Sequence, residues 1–319
     1  RTYQAPNQPI KFQGKPFSKN THVANQFCKL YANARPYKPN KESRQIFRGV
    51  KKENQLDQSF MPFSSLDTAE AIRRTRNSTA AGPNQVTSLH LKHLGPRGLS
   101  FLTRLFNLLV RDACIPVIWR SANIVPVLKP GKPADEGTSY RPVSLLCPEF
   151  KVLERLLLPS LTSSLRPHDK QHGFRSGHST VTALLPLSTE IARGFNQKKP
   201  AGCTGLLSID VSKAFDVVRR DKLIQRIANT DLHPNIKRWM AANLVDRRVK
   251  VRYQGALSKW RKNKLGVPQG AVSSPILWNF FVADLDANGY ADDFHDLAVS
   301  SNVEDIEDQL NAAAGRMSN

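Results

Sequence analysis

The sequence lacks several things that whole classes of protein need. No run approaches the roughly 18 consecutive apolar residues of a membrane span. Residues 1–55 are mostly polar and hold no continuous apolar segment of the signal-peptide kind. Cysteine is scarce: Cys28, Cys114, Cys147 and Cys203 are scattered, and no pair has metal-ligand spacing. Adding His168, His172 and His178 to Cys147 gives no zinc pattern either. Residues 210–221 have a faint calcium-loop flavour but lack its central Gly and final Glu. Reduced thiols and the missing leader place the chain in the nucleus or cytoplasm, with no membrane partner. There is no internal repeat. The first residue is not Met, so a fragment of a longer product is expected.

Acid is also scarce, with 26 Asp and Glu against 47 Lys and Arg. Its distribution says more than its total. Residues 1–56 carry 12 basic and 2 acidic side chains, whereas residues 280–319 carry 9 acidic and one Arg. A long basic stretch with one local acidic cluster suits a protein that binds a polyanion and also holds divalent metal.

At 319 residues and 40% hydrophobic content the chain can bury a sizeable core. Residues 1–63 read as a basic, disordered N-terminal segment, rich in Gln, Asn, Lys and Pro and without periodicity, and order resumes near Phe60. Ser64 with Asp67 has the form of a capping box. Helical periodicity runs through 86–113, 149–165, 180–195, 219–229, 233–245, 274–284 and 303–317, and Pro186 is expected to kink or interrupt its helix. Strands are expected at 124–128, 205–211 and 247–254, the last paired with 257–265 as a hairpin. The mixture is α+β, not a regular βαβ alternation.

The acids carry the chemistry. Asp210 ends the apolar strand Leu206-Leu207-Ser208-Ile209, and Asp292 and Asp293 follow Tyr290-Ala291. Carboxylates brought to strand ends from distant segments are how nucleotidyl transfer holds two Mg²⁺ ions. Adjacent Asp residues alone are more often solvated turn acids.

The rest of the chain changes that balance. Residues 208–218, Ser-Ile-Asp-Val-Ser-Lys-Ala-Phe-Asp-Val-Val, resemble the A motif of LINE-type (non-LTR retrotransposon) reverse transcriptases. Residues 266–275, Gly-Val-Pro-Gln-Gly-Ala-Val-Ser-Ser-Pro, resemble the B motif, and Tyr290-Ala291-Asp292-Asp293 the C motif. Residues 125–132 and 139–146 resemble the family's fingers segment, 171–180 the block after it, and Gly82-Pro83-Asn84 with His90-Leu91-Lys92 its N-terminal extension. Each block alone is modest, but their order is the family's.

The resemblance implies a right-hand polymerase with fingers at about 64–180 and 219–265 and palm at about 181–218 and 266–319. It implies RNA-templated DNA synthesis with an RNA template, a DNA primer and dNTPs, and two Mg²⁺ ions for which Mn²⁺ can stand in. By the same resemblance Asp210 and Asp292 are the main metal ligands, Asp293 assists, and the Val211 carbonyl completes one shell. Ala214 and Phe215 match substrate-binding positions, Phe215 as the steric gate that excludes a 2′-hydroxyl. Lys129 and Arg141 match the triphosphate-binding cations. Gln269 and Gly270 match residues packing on the nascent base pair, and Tyr290 the support of the primer terminus. Asp216 is as readily a helix-cap acid as a functional one.

The sequence departs from the family in two places. Only Asp286-Ala287-Asn288-Gly289 separate the end of the B-motif helix from Tyr290, so the incoming arm of the C hairpin is expected to be shortened or deleted. His295 and Asp296 stand in the outgoing arm, where Asp296 adds like charge near Asp292 and Asp293. The chain also stops before the family's thumb. Two readings therefore stay open: the polymerase, and a catalytically inactive, nucleic-acid-binding remnant. An RNA-dependent RNA polymerase shares the acid layout, but Phe215 and the Gly-Val-Pro-Gln-Gly block argue against it.

Overall fold

The computed structural model describes residues 9–32, 40–52, 57–77, 80–196 and 202–318. In chain order the elements begin with β1 (Ile10–Phe12), β2 (Lys15–Phe17), α1 (Asn20–Ala32), α2 (Lys41–Lys52), α3 (Ser65–Arg73), α4 (Ser88–Lys92) and α5 (Pro96–Arg111). Next come β3 (Ser121–Leu128), β4 (Tyr140–Leu145), α6 (Pro148–Ser164), α7 (Thr180–Phe195), β5 (Cys203–Asp210) and α8 (Ala214–Val217). Then follow α9 (Arg220–Ala228), α10 (Pro234–Leu244), β6 (Arg248–Tyr253), β7 (Ala256–Leu257) and β8 (Arg261–Lys262). The last are α11 (Ser274–Phe281), β9 (Asn288–Tyr290), β10 (Asp293–Ser300) and α12 (Val303–Ser318). Helix and sheet are mixed, as the α+β reading requires.

The chain divides into two compact units, Arg1–Ser164 with Phe215–Ser274, and Leu165–Ala214 with Pro275–Asn319. The borders between these units fall at 164, 214 and 274. The reason is local: the B-motif loop bonds to β4, α6 and α9, and residues 171–173 bond to the Tyr290 turn.

In the first unit, β3 is central in a five-stranded sheet. It pairs antiparallel with β4 and parallel with β6, whose other edge carries β7 and β8. Ser64 and Asp67 form the expected capping box on α3. The periodicity over 86–113 resolves into two helices, because Gly95 caps α5 and Pro96 takes its first position, where a missing amide costs nothing.

The N-terminal segment corrects the sequence reading. Residues 10–32 are ordered within the first unit. Val23, Ala24, Phe27, Cys28 and Tyr31 form one buried stripe of α1. Phe27 stacks on Tyr31 at 5.6 Å and meets Phe12, Tyr140 and Tyr253 at ring distances of 4.8, 5.1 and 5.6 Å. Polar composition hid a helical spacing of three and four. The parts of that segment at 1–8, 33–39 and 53–56 lie outside the described residues. Phe27→Ala is expected to cost about 3–5 kcal/mol, the usual range for emptying a buried aromatic site. Denaturant unfolding of the full chain measures it, and a loss below about 1 kcal/mol would show that α1 is not part of the core.

The second unit is a three-stranded antiparallel sheet in the order β5-β10-β9. Gly205 lets α12 lie close on β5, since a Cβ there would stand 2.4 Å from the Ile306 side chain. Helix α7 runs unbroken through Pro186, which is exposed; the lost amide bond falls on a solvated face, where water can satisfy the freed carbonyl. The incoming arm of the hairpin is present, which corrects the reading of an outright deletion. It is three residues long and pairs with only Asp293 to His295 of β10.

Candidate active site

The second unit brings the three predicted acids to one strand end. Asp210 is the last residue of β5, and its Cα partner is Asp293, the first residue of β10. The Val211 amide donates to the Asp292 carbonyl at 3.0 Å, which carries the pairing one step past the ladder. All three acids are exposed. Among the described residues no group of three His, Cys, Asp or Glu side chains is close enough to hold a metal ion. The carboxylates share an edge without forming a closed cage.

The Tyr290-Ala291-Asp292-Asp293 turn is tight. Ala291 takes φ +62°, as a mirror-type hairpin turn requires at its first central position. Ala is strained there, and its surroundings impose the geometry. Gln171, buried, accepts from the amides of Ala291 at 3.1 Å and Gly173 at 2.9 Å. The Trp278 indole donates to the Ala291 carbonyl at 2.8 Å. His172 and Gly289 exchange backbone contacts with one another's strand through His172 N–H to Gly289 O, 2.8 Å, and Gly289 N–H to Lys170 O, 2.9 Å. Block 171–173 therefore grips the turn, a role the sequence did not disclose. Tyr290 ends β9 opposite Asp293 and is partly exposed.

Asp296, read as an added like charge, lies three strand residues from Asp293, about 10 Å along the backbone. It is paired with Arg316 of α12 at 3.1 Å, so the expected repulsion is relieved. Burial lowers the pKa of the neighbouring His295 imidazole from its ordinary value, and Asp296 opposes that shift.

The first unit holds the remaining predicted residues. Arg141 in β4 faces Val127 of β3, and the Lys129 amide bonds to Ser139, so Lys129 and Arg141 fall two residues apart on one face of this hairpin. The Ser144 amide donates to the Gln269 carbonyl at 2.9 Å. Gly270, at φ +118°, lies so close to Ser144 that a Cβ would be 2.9 Å from its carbonyl oxygen. At the other end, the Val267 amide donates to Phe215 O at 2.8 Å, and Gly266 passes the same carbonyl with no room for a Cβ. Phe215 and the B loop are thus tied together through the backbone. Ala214, buried, closes the second unit's share of the A motif; its amide bonds to Val211 O at 3.1 Å. Asp216 lies in the first turn of α8.

Four cations that the sequence did not single out line a cavity of about 260 Å³ beside Gly270: Arg74, Arg76, Lys151 and Arg155. Burial lowers the pKa of both Lys151 and Arg155, and Arg74 lowers that of Arg155 further. Among the described residues no acid lines this cavity. Glu70 pairs with Arg74 at 2.8 Å, and the Glu154 charge partly offsets the burial of Lys151 and Arg155.

A family model described as "Reverse transcriptase (RNA-dependent DNA polymerase)" matches residues 127–307. The chain belongs to the reverse transcriptase family, and within it to the LINE-type, non-LTR branch. "Probable RNA-directed DNA polymerase from transposon BS" of Drosophila melanogaster is 34% identical over 235 residues, covering 72% of this chain and 26% of that protein. "Probable RNA-directed DNA polymerase from transposon X-element" of D. melanogaster has the same identity over 235 residues, covering 72% of this chain and 25% of that protein. "RNA-directed DNA polymerase from mobile element jockey" of Drosophila funebris is 27% identical over 296 residues, 89% of this chain and 32% of that protein. The chain therefore spans about a quarter to a third of these relatives. By family it is an RNA-directed DNA polymerase. No helix among the described residues is long and apolar enough to cross a membrane.

Proposed function

We propose that this chain extends a primer 3′-hydroxyl with dNTPs on an RNA template, the second unit acting as palm and the first as fingers. The observation that carries this reading is the β5–β10 register, which sets Asp210 opposite Asp293 and ties Val211 to Asp292. Carboxylate and carbonyl oxygens are the hard donors that Mg²⁺ and Mn²⁺ prefer. As they stand the three acids do not close on an ion; drawn in by bound metal and substrate, Asp210 and Asp292, with Asp293 and the Val211 carbonyl, would hold two such ions, which would supply the charge that lowers the pKa of the attacking hydroxyl and steadies the leaving pyrophosphate. Lys129 and Arg141 hold the triphosphate from one face of their hairpin. Phe215, anchored to the B loop, limits room at the sugar, Gln269 and Gly270 form the floor for the new pair, and Tyr290 supports the primer end. The incoming arm of the C hairpin spans three residues, and the turn it leads into is held at Ala291 by Gln171 and Trp278.

The test is primer extension on poly(rA)/oligo(dT) with Mg²⁺, comparing wild type with Asp292→Ala. Incorporation no higher than the variant's refutes polymerase activity. Salt-sensitive RNA binding that persists would then mark a non-catalytic binder.

The cationic cavity supports the nucleic-acid part of this reading, as a seat for backbone phosphate. Arg76→Ala and Lys151→Ala are each expected to weaken RNA binding at all sequences and lower the slope of log K against log salt by about 1. Filter binding across a salt series measures it; an unchanged slope removes the cavity from the binding face.

A further inference from the structure

Two charged side chains outside every recognised motif are buried against the B loop. Arg220 on α9 donates to Gly266 O at 2.6 Å, Asn263 O at 2.7 Å and Leu265 O at 2.7 Å, holding the loop's entry. Glu154 on α6, only 1% exposed, holds its exit. One carboxylate oxygen accepts the Val272 amide at 2.9 Å and the other accepts the Ser273 hydroxyl. Ser144 secures the middle through Gln269 O, and the Ser274 hydroxyl closes the loop on Pro268 O at 2.8 Å.

A buried carboxylate is a poor way to gain stability, because its desolvation cost rivals what its partners return. Its distinctive effect is to enforce one geometry on groups that have no alternative partner. Burial pushes the Glu154 carboxyl up, and the Ser273 and Val272 donors with the Arg247 charge oppose that push. The loop that Glu154 fixes is the one that presents Gln269 and Gly270.

We propose that Glu154 is a positioning residue for nucleotide binding: it holds the B loop, through Val272 and Ser273, in the shape that receives the incoming dNTP. This rests on the nucleotide-contact role proposed above for Gln269 and Gly270. The loop is then set in the free chain and not assembled by substrate. Losing either end of the contact frees the same segment.

The experiment compares wild type, Glu154→Gln, Ser273→Ala and the double variant in two readouts. In primer extension each single variant is expected to raise the dNTP KM about tenfold with kcat within about twofold, the loss of one hydrogen bond to a charged group. The double variant should match the worse single one, because both break one contact. In amide exchange the Val272 amide should exchange at least about tenfold faster, with Ile124 of β3 and Val251 of β6 unchanged. Exchange does not depend on catalysis. Faster exchange at Val272 in a chain whose wild type incorporates nothing would sink the polymerase reading and leave the loop clamp supported. Faster exchange throughout β3 and β6, a fall in kcat without a KM change, or local loosening with an unaltered KM would each overturn the proposal.

Discussion

Asp210→Asn is expected to cut dNTP incorporation by about 10³-fold or more while leaving the fold intact. The substitution preserves size and removes one charge. A carboxylate that shares a divalent ion with the reacting oxygens is worth several kcal/mol in the transition state, and each 1.36 kcal/mol is a factor of ten. Folding does not need that charge. Asp210 is exposed, and its place in the sheet is secured by backbone pairing with Asp293. Three acids at one strand end repel, so without metal the Asn variant should melt at the same temperature as wild type or slightly above it. Single-turnover extension and thermal melting in EDTA give the two measurements. Residual activity above about a tenth of wild type would remove Asp210 from the metal site, and a lowered melting temperature would make it a structural acid.

Gly173→Ala should have the second-largest effect, about 10²-fold on extension, although residue 173 is no part of the acid cluster. A Cβ at this position would stand 2.1 Å from the Ala291 amide nitrogen and 2.7 Å from its Cα, where real Cβ contacts essentially never fall below 3.0 Å. Both atoms belong to backbone, so neither can swing aside. The turn must move by about 1 Å, and a misplacement of that size in a catalytic constellation costs on the order of 10²-fold. The same crowding should cost about 1–3 kcal/mol of stability. RNA binding through the first unit's cations should not change, which separates a displaced turn from an unfolded chain. If extension survives within about threefold, the turn is either more pliant than its hydrogen bonds to Gln171 and Trp278 imply or is not where the chemistry occurs.

Legibility in the sequence followed the range of the interactions involved. Periodicity and capping are local, and they located α3, α6, α7, α9 to α12, β3, β5 and the β6 hairpin with small shifts at their ends, while the single run expected over 86–113 divided into α4 and α5 at Gly95-Pro96. The N-terminal stripe of Val23, Ala24, Phe27, Cys28 and Tyr31 was equally local but was masked by the polar residues between, and it needed the β-sheet face beneath it to show its meaning. Asp296 looked like a hazard because its partner, Arg316, comes 20 residues later and from a helix that folds back.

The Tyr290-Ala291-Asp292-Asp293 turn and its companions make the same division. By itself, the sequence determined the family and the order of the A, B and C blocks, because those belong to residue type and spacing, and through that resemblance it supplied the candidates proposed above for metal, triphosphate and base pair. Only the tertiary structure decided that β9 survives as a three-residue arm, that Gln171, Gly173 and Trp278 set the turn, that four cations gather beside Gly270, and that Glu154 and Arg220 hold the B loop. Those are contacts between segments far apart in the chain, and a distance through space is not written in any local pattern.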